Sequence, residues 1–163
     1  MKYCIECGNK LIIKRCICHG VDEGNVPFCE KCGEFRFPLF NTAVSMVVFN
    51  HDYSKILLIK QYGRDRNILV AGYVNKGECL EQALKRELKE EVNLDLISYK
   101  FNASQYFEKS NSLICNFMVQ AKGEVKLTQE VDYAAWYSIE EAKSAIAQNS
   151  LAQQFLELAI SKI

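Results

Sequence analysis

Six of the eight cysteines in this 163-residue chain lie in its first 32 residues: Cys4, Cys7, Cys16, Cys18, Cys29 and Cys32. Only Cys79 and Cys115 lie beyond. A disulfide scaffold would spread its bridges along the whole chain. A cluster at one end reads instead as a metal centre in a reducing compartment, so a cytoplasmic location is expected. Cys4-Ile5-Glu6-Cys7-Gly8 and Cys29-Glu30-Lys31-Cys32-Gly33 repeat one pattern. Two thiolates three residues apart fit on one tight turn and both reach a tetrahedral Zn²⁺. The glycine lets the backbone turn so that amide N–H groups face the sulfurs. We therefore expect a zinc ribbon in which Cys4, Cys7, Cys29 and Cys32 hold a structural Zn²⁺. Cys16, Cys18 and His19 could replace a ligand, form a second site, or lie in the ribbon's loop as packing or free thiols. The repeated knuckle favours the last.

The composition changes near Phe37-Pro38, which places a boundary between a ribbon over residues 1–37 and a second domain over 38–163. Ala43–Phe49 reads as a buried strand, Asn50–Ser54 as a turn and Lys55–Lys60 as the returning strand. Further strands are expected at Ile68–Val74 and at about 97–107, 112–121 and 133–137. Glu78–Val92 reads as a charged amphipathic helix. Ser138 with Glu141, and Ser150 with Gln153, open two more helices as capping boxes. Strands and helices mix without regular alternation, so the fold class is α+β, a mixed sheet between helices.

Lys+Arg and Asp+Glu number 20 each, which gives no support to binding through a broad basic field, whether to nucleic acid or to a membrane surface. No apolar run reaches the roughly 18 residues of a membrane span. The N-terminus has no long apolar stretch of the signal-peptide kind.

Glu87, Glu90 and Glu91 are spaced i, i+3, i+4 and share one helix face. Three like charges there repel one another unless something neutralises them. A hard divalent cation, Mg²⁺ or Mn²⁺, does so and also binds substrate phosphate oxygens. Arg86 adjoins the cluster and can orient a carboxylate by a bidentate contact. Taken alone, such a cluster is more often a solvated helix face. The surrounding residues change that balance: Gly72, Glu78, Arg86, Glu87, Leu88, Glu90, Glu91 and Leu94 fall at fixed spacings.

Those eight residues resemble the Nudix box, in which Gly, five residues, Glu and seven residues precede Arg-Glu-aliphatic-x-Glu-Glu-x-Gly-aliphatic. At ordinary residue usage, a chance match is roughly one in 10⁸. Asn93 replaces the last Gly of the pattern; that position needs a left-handed backbone, for which Asn is next best. Glu78 is read as capping the helix and holding the loop before it. The order of knuckles, Phe37-Pro38, Ala71-Gly72-Tyr73, the box, Ser104-Gln105 and Trp136 is similar to the NADH pyrophosphatase branch of Nudix hydrolases. That branch includes enzymes that remove NAD caps from RNA. Its extra N-terminal domain is not in this sequence.

The resemblance implies a Nudix-type sheet sandwiched between helices. It implies metal ligation by Glu87, Glu90, Glu91, Glu130 and the Ala71 carbonyl, with Arg86 and these glutamates as the catalytic set. Tyr73 would stack on a substrate base, Phe37 would reach a base from the other subunit of a homodimer, and Ala152 would contact substrate through its backbone. The segment that marks NAD(H) specificity reads Ser104-Gln105-Tyr106-Phe107-Glu108-Lys109-Ser110-Asn111-Ser112 here. Gln105, Phe107 and Ser112 keep substrate-binding positions, but the motif's prolines are absent and Glu108 and Lys109 bring charge.

Three functions follow in order. The first is metal-dependent hydrolysis of the pyrophosphate in a nucleoside diphosphate linked to another group, such as NAD(H), ADP-ribose or FAD. The second is removal of an NAD cap from RNA. Residues 1–40 set Lys2, Lys10, Lys14, Arg15, Lys31 and Arg36 against Glu6, Asp22, Glu23, Glu30 and Glu34, a weak platform for a phosphate backbone. The third is a non-catalytic nucleotide sensor, which would have no need of so repulsive a carboxylate cluster.

Overall fold

Near-continuous apolar runs mark strands covered on both faces, and the centre of the larger sheet is built from such runs. In the computed structural model, which describes Met1–Ile163, Asn41–Phe49 forms β4 and Ser112–Lys122 forms β8. The two pair in parallel, from Asn41 opposite Ser112 to Phe49 opposite Gln120. β4 also pairs antiparallel with β5 (Lys55–Gln61) and β6 (Val70–Tyr73). With β7 (Asp95–Phe107) and β9 (Val131–Ser138) the sheet has six strands, in the order β7-β8-β4-β5-β9 with β6 beside β4. The Asn50–Ser54 turn closes the β4–β5 hairpin, the Asn50 side chain accepting from the Lys55 amide at 2.9 Å.

Helix α1 (Leu80–Val92) covers one face, burying Leu84, Leu88 and Val92 against Val44, Met46 and Val48. Helices α2 (Ile139–Ala145) and α3 (Leu151–Ile160) cover the other, where Val47 and Phe49 meet Phe155 and Leu156. Side chains along β4 thus alternate between the two helix layers, the period-two rule of a pleated strand. Fully burying each Leu contributes about 1.5–3 kcal/mol. This is the α+β sandwich expected from the sequence. No helix is long and apolar enough to cross a membrane.

The helix ends follow local chemistry. Ser138 and Glu141 form the expected reciprocal box. Ser150 accepts from the Gln153 amide at 3.1 Å, but the Gln153 side chain reaches back to Asn149 instead of Ser150. The N-cap of α1 is Cys79, boxed with Gln82, so the capping role expected of Glu78 is corrected. Asn93 ends α1 at φ 59°, the left-handed conformation inferred for it.

The chain divides into two compact units, Met1–Phe40 and Asn41–Ile163. The first carries a three-stranded antiparallel sheet: β1 (Ile12–Cys18), β2 (Val21–Cys29) and β3 (Glu34–Phe35). His19 and Gly20 join β1 to β2 with φ of 48° and 81°, as a tight two-residue hairpin requires.

Candidate active site and metal centres

The four knuckle cysteines converge. Their sulfurs all lie within 4.8 Å of one another, with Cys4 and Cys32 at 3.9 Å and Cys7 and Cys29 at 3.5 Å. Ligands about 2.3 Å from a tetrahedral Zn²⁺ would be about 3.8 Å apart. Both knuckles make the same turn: Gly8 donates to the Cys4 carbonyl at 2.9 Å and Gly33 to the Cys29 carbonyl at 2.8 Å. The Cys32 amide faces the Cys29 sulfur at 3.4 Å, as expected of such a turn. Arg36 donates to the Cys4 sulfur at 3.3 Å and lowers that thiol to about 6. Shared thiol hydrogen bonds push Cys32 up to about 12. Without a dication the cluster must keep protons among its sulfurs, so its donor set fits a zinc ion. Cys16 and Cys18 lie on β1 outside this cluster; Cys16 is buried and Cys18 is exposed, 3.3 Å from the His19 ring.

In the second unit, a cavity of about 520 Å³ gathers Ala71, Tyr73, Arg86, Glu87, Glu90, Glu91, Phe107, Ser112 and Glu130. Glu91 is 3% exposed and has no cationic partner. Its carboxylate accepts only from the Gln61 amide at 2.6 Å and the Ala71 N–H at 3.4 Å. Burial, and secondarily the charges of Glu87 and Glu130, push it up to about 7. Burial raises Glu87 too. A buried carboxylate with neutral partners fits a site completed by a divalent cation.

Arg86 organises the rim of this site. Its Nε and Nη2 donate to the two oxygens of Glu78 at 2.8 Å each. Nη2 also donates to the Tyr73 carbonyl at 2.9 Å. Nη1 reaches Glu87 at 2.5 Å and Glu90 at 3.0 Å. The bidentate contact foreseen for Arg86 thus falls on Glu78, and only single bonds reach the cluster. Glu78, held down to about 2 chiefly by Arg86, also accepts from the Asn75 amide at 2.9 Å and so ties the loop before α1.

Gly72 explains itself by close approach. A Cβ there would lie 1.9 Å from the Glu87 carboxyl carbon, so only glycine lets that carboxylate rest on β6.

Other expected residues fall differently. Ala152 lines a neighbouring cavity of about 720 Å³ that shares Ala43, Ala71, Phe107 and Ile114 with the first. Gln105 lies on β7 and lines neither cavity. Phe37 belongs to the other unit and is 51% exposed. The segment that lacks the prolines makes a short 3₁₀ turn, Glu108–Ser110, which ends on Asn111 at φ 49°. Gln61 and Tyr62 were not foreseen. Gln61 holds Glu91, and Tyr62 sits at φ 57°, uncommon for a bulky residue, on the cavity wall. Their place at the end of a buried strand, Gln61 closing β5 and Tyr62 following it, was the available signal.

Comparison with known proteins agrees with this geometry. Residues 39–158 match the NUDIX domain family. The NAD-capped RNA hydrolase NudC of Stutzerimonas stutzeri is 26% identical over 163 residues, 99% of this chain and 56% of that protein. The protein of that name from Photorhabdus laumondii is 28% identical over 96% of this chain and 59% of its own length. The chain therefore spans somewhat over half the length of these relatives. Among solved structures, a NUDIX hydrolase from Nitrosomonas europaea superposes with TM-score 0.68 at 22% identity, covering 96% of this chain and 91% of its own. The NUDIX domain of Shewanella oneidensis NrtR, complexed with ADP ribose, gives 0.58 at 18% identity over 83% and 93%. With the carboxylate helix, the glycine beneath Glu87 and the family match over most of its length, the chain belongs to the Nudix family.

Proposed function

We propose that this chain hydrolyses the pyrophosphate of a nucleoside diphosphate linked to a second group, with NAD(H), ADP-ribose and FAD as the leading substrates. The uncompensated Glu91 carboxylate beside Glu87, Glu90 and Glu130 carries this reading. Glu87, Glu90, Glu91, Glu130 and the Ala71 carbonyl would hold Mg²⁺ or Mn²⁺. Bound there, the metal would neutralise phosphate oxygens and lower the pKa of a water. Gln61 orients Glu91, while Arg86 tethers Glu87 and Glu90. One of Glu90, Glu91 or Glu130 takes the proton of the attacking water. Tyr73, half exposed on the wall, offers a ring for stacking, and Phe107 and Ser112 line the same cavity. Catalysis on this reading is chiefly positioning and charge stabilisation.

The boundary is placed at 37/38, with Phe37 serving the site of a second subunit in a homodimer. The thiol cluster suits a reducing compartment, and we assign the protein to the cytoplasm. Zinc in the cysteine cluster is structural: Cys4→Ser should abolish stoichiometric zinc by elemental analysis. Retained zinc would overturn that assignment.

A second reading, removal of an NAD cap from RNA, is favoured by the names of the curated relatives. A panel of NADH, NAD⁺, ADP-ribose, FAD and NAD-capped RNA, with Mg²⁺ or Mn²⁺ and products resolved by mass, tests both. Cleavage of the free dinucleotides as the fastest reaction is expected. Fastest release of a mononucleotide from capped RNA establishes the second reading, and no cleavage of any member overturns both.

A further inference from the structure

A line of buried polar side chains crosses the α3 side of the sheet, where apolar packing would otherwise be expected. Ser45, Asn102 and Asn116 are each 6% exposed or less, among side chains such as Phe155 and Met118. Burying such groups costs free energy unless each is hydrogen-bonded. Asn102 is the extra residue of a β-bulge in β7, between Phe101 (opposite Phe117) and Ala103 (opposite Asn116). Bulges re-aim side chains, commonly next to active sites.

The polarity of this line is set by its ends. The Lys162 ammonium can only donate, and it reaches the Asn102 side-chain oxygen at 2.7 Å and its backbone carbonyl at 2.6 Å. The Phe155 carbonyl can only accept, and takes a hydrogen bond from Asn102 Nδ2 at 2.9 Å. Both constraints place the Asn102 amide the same way round. Its Nδ2 also donates to the Asn116 oxygen at 2.9 Å, which leaves Asn116 Nδ2 to donate to Ser45 Oγ at 3.0 Å. The Ser45 hydroxyl is thus an acceptor toward the protein, and its own proton is directed elsewhere.

Ser45 opens onto the 720 Å³ cavity, whose walls include Leu69, Ile114, Leu151 and Phe155. That cavity adjoins the carboxylate site through Ala43 and Ala71. Arg66 and Lys109 also line it. Its character is that of a site for a flat, largely apolar ring attached to an anionic group.

We propose that Ser45 determines specificity in this cavity by donating a hydrogen bond to an acceptor atom, a ring nitrogen or carboxamide oxygen, on the base-like group of a nucleotide. Lys162 acts as a positioning residue that fixes this polarity through Asn102 and Asn116. This rests on the nucleotide-substrate reading above but not on turnover. A pocket that presents a buried donor discriminates strongly against groups that leave it unmet.

The test is calorimetric binding of AMP and of nicotinamide mononucleotide to the full chain in the presence of Mg²⁺. Ser45→Ala should weaken the better-bound mononucleotide about tenfold, and Ser45→Thr, which keeps the hydroxyl, should restore most of that loss. Lys162→Met should weaken it about threefold and Lys162→Arg should recover it, a pattern loss of packing alone would not give. Affinity within twofold of wild type in Ser45→Ala overturns the proposal, as does absence of saturable binding of either mononucleotide to the wild type. If Ser45→Ala does not fold, the Lys162 pair decides by the same criterion. Binding needs no bond cleavage, so a chain that binds in a Ser45-dependent way yet cleaves nothing in the panel refutes only the hydrolase reading.

Discussion

Glu91→Gln should lower metal-dependent turnover by about three orders of magnitude or more while leaving the chain folded. Gln keeps the shape, and its oxygen can accept from the Ala71 N–H while its NH₂ donates to Gln61 once that amide turns over, but it lacks the charge that a divalent ion requires. The substitution also carries a pH signature. Burial raises Glu91 from its ordinary 4.5 to about 7, so ionising it opposes folding of the metal-free protein. The protonated carboxyl's contribution is complete below about 4.5 and is lost as pH rises through about 7. Metal-free wild type should therefore lose about 2 kcal/mol from this group between pH 5.5 and pH 8. Glu91→Gln should lack that component, which denaturant titrations of both proteins at the two pH values would resolve. For the same reason Mg²⁺ affinity should be about tenfold weaker at pH 6 than at pH 8, because the ion must displace a proton. Near-normal turnover in the variant, or identical pH profiles, would remove Glu91 from the metal site.

Gly72→Ala should cost about 10²-fold in turnover with little change in stability. The new methyl would meet the Glu87 carboxyl group at 1.9–2.2 Å, which no structure tolerates. What must yield is the far end of one flexible side chain, and Gly72 is not among the positive-φ glycines, so the backbone accepts alanine there. The fold is spared and the carboxylate is displaced from its place on β6. A Tm within about 3 °C of wild type, with weakened Mg²⁺ binding by calorimetry, is the expected pair of results. Glu87→Asp in the Gly72→Ala background shortens the side chain and should recover part of the metal affinity. Wild-type turnover in Gly72→Ala alone would mean that Glu87 has another workable position.

Much of this protein was legible before any coordinates. Periodicity located the strands because β4, β5 and β8 are covered on both faces and carry apolar runs, broken only by Ser45 in β4 and Asn116 in β8. The two CxxCG knuckles are local turns, so spacing alone brings each pair of sulfurs together, and the four-sulfur cluster follows from the repeat. The three glutamates share a face because helix geometry is periodic. Asn93 could be placed in the left-handed region because the residue ending a helix has few choices.

Other features depend on distances that the sequence does not encode in any single segment. Glu78 serves Arg86 and Asn75, while Cys79 and Gln82 occupy the cap of α1. Gln61 meets Glu91 thirty residues away, and the reason for Gly72 is a carboxylate fifteen residues on. The relay from Lys162 through Asn102 and Asn116 to Ser45 draws on the residues just past α3, a bulge and two central strands. Sequence by itself determined the elements, the metal-ligand types and their local spacing, because those follow from short-range sterics and periodicity. Tertiary structure alone decided which carboxylate is buried without a counter-charge and which hydroxyl accepts from a buried amide at the cavity wall, because burial and hydrogen-bond polarity depend on packing between distant segments.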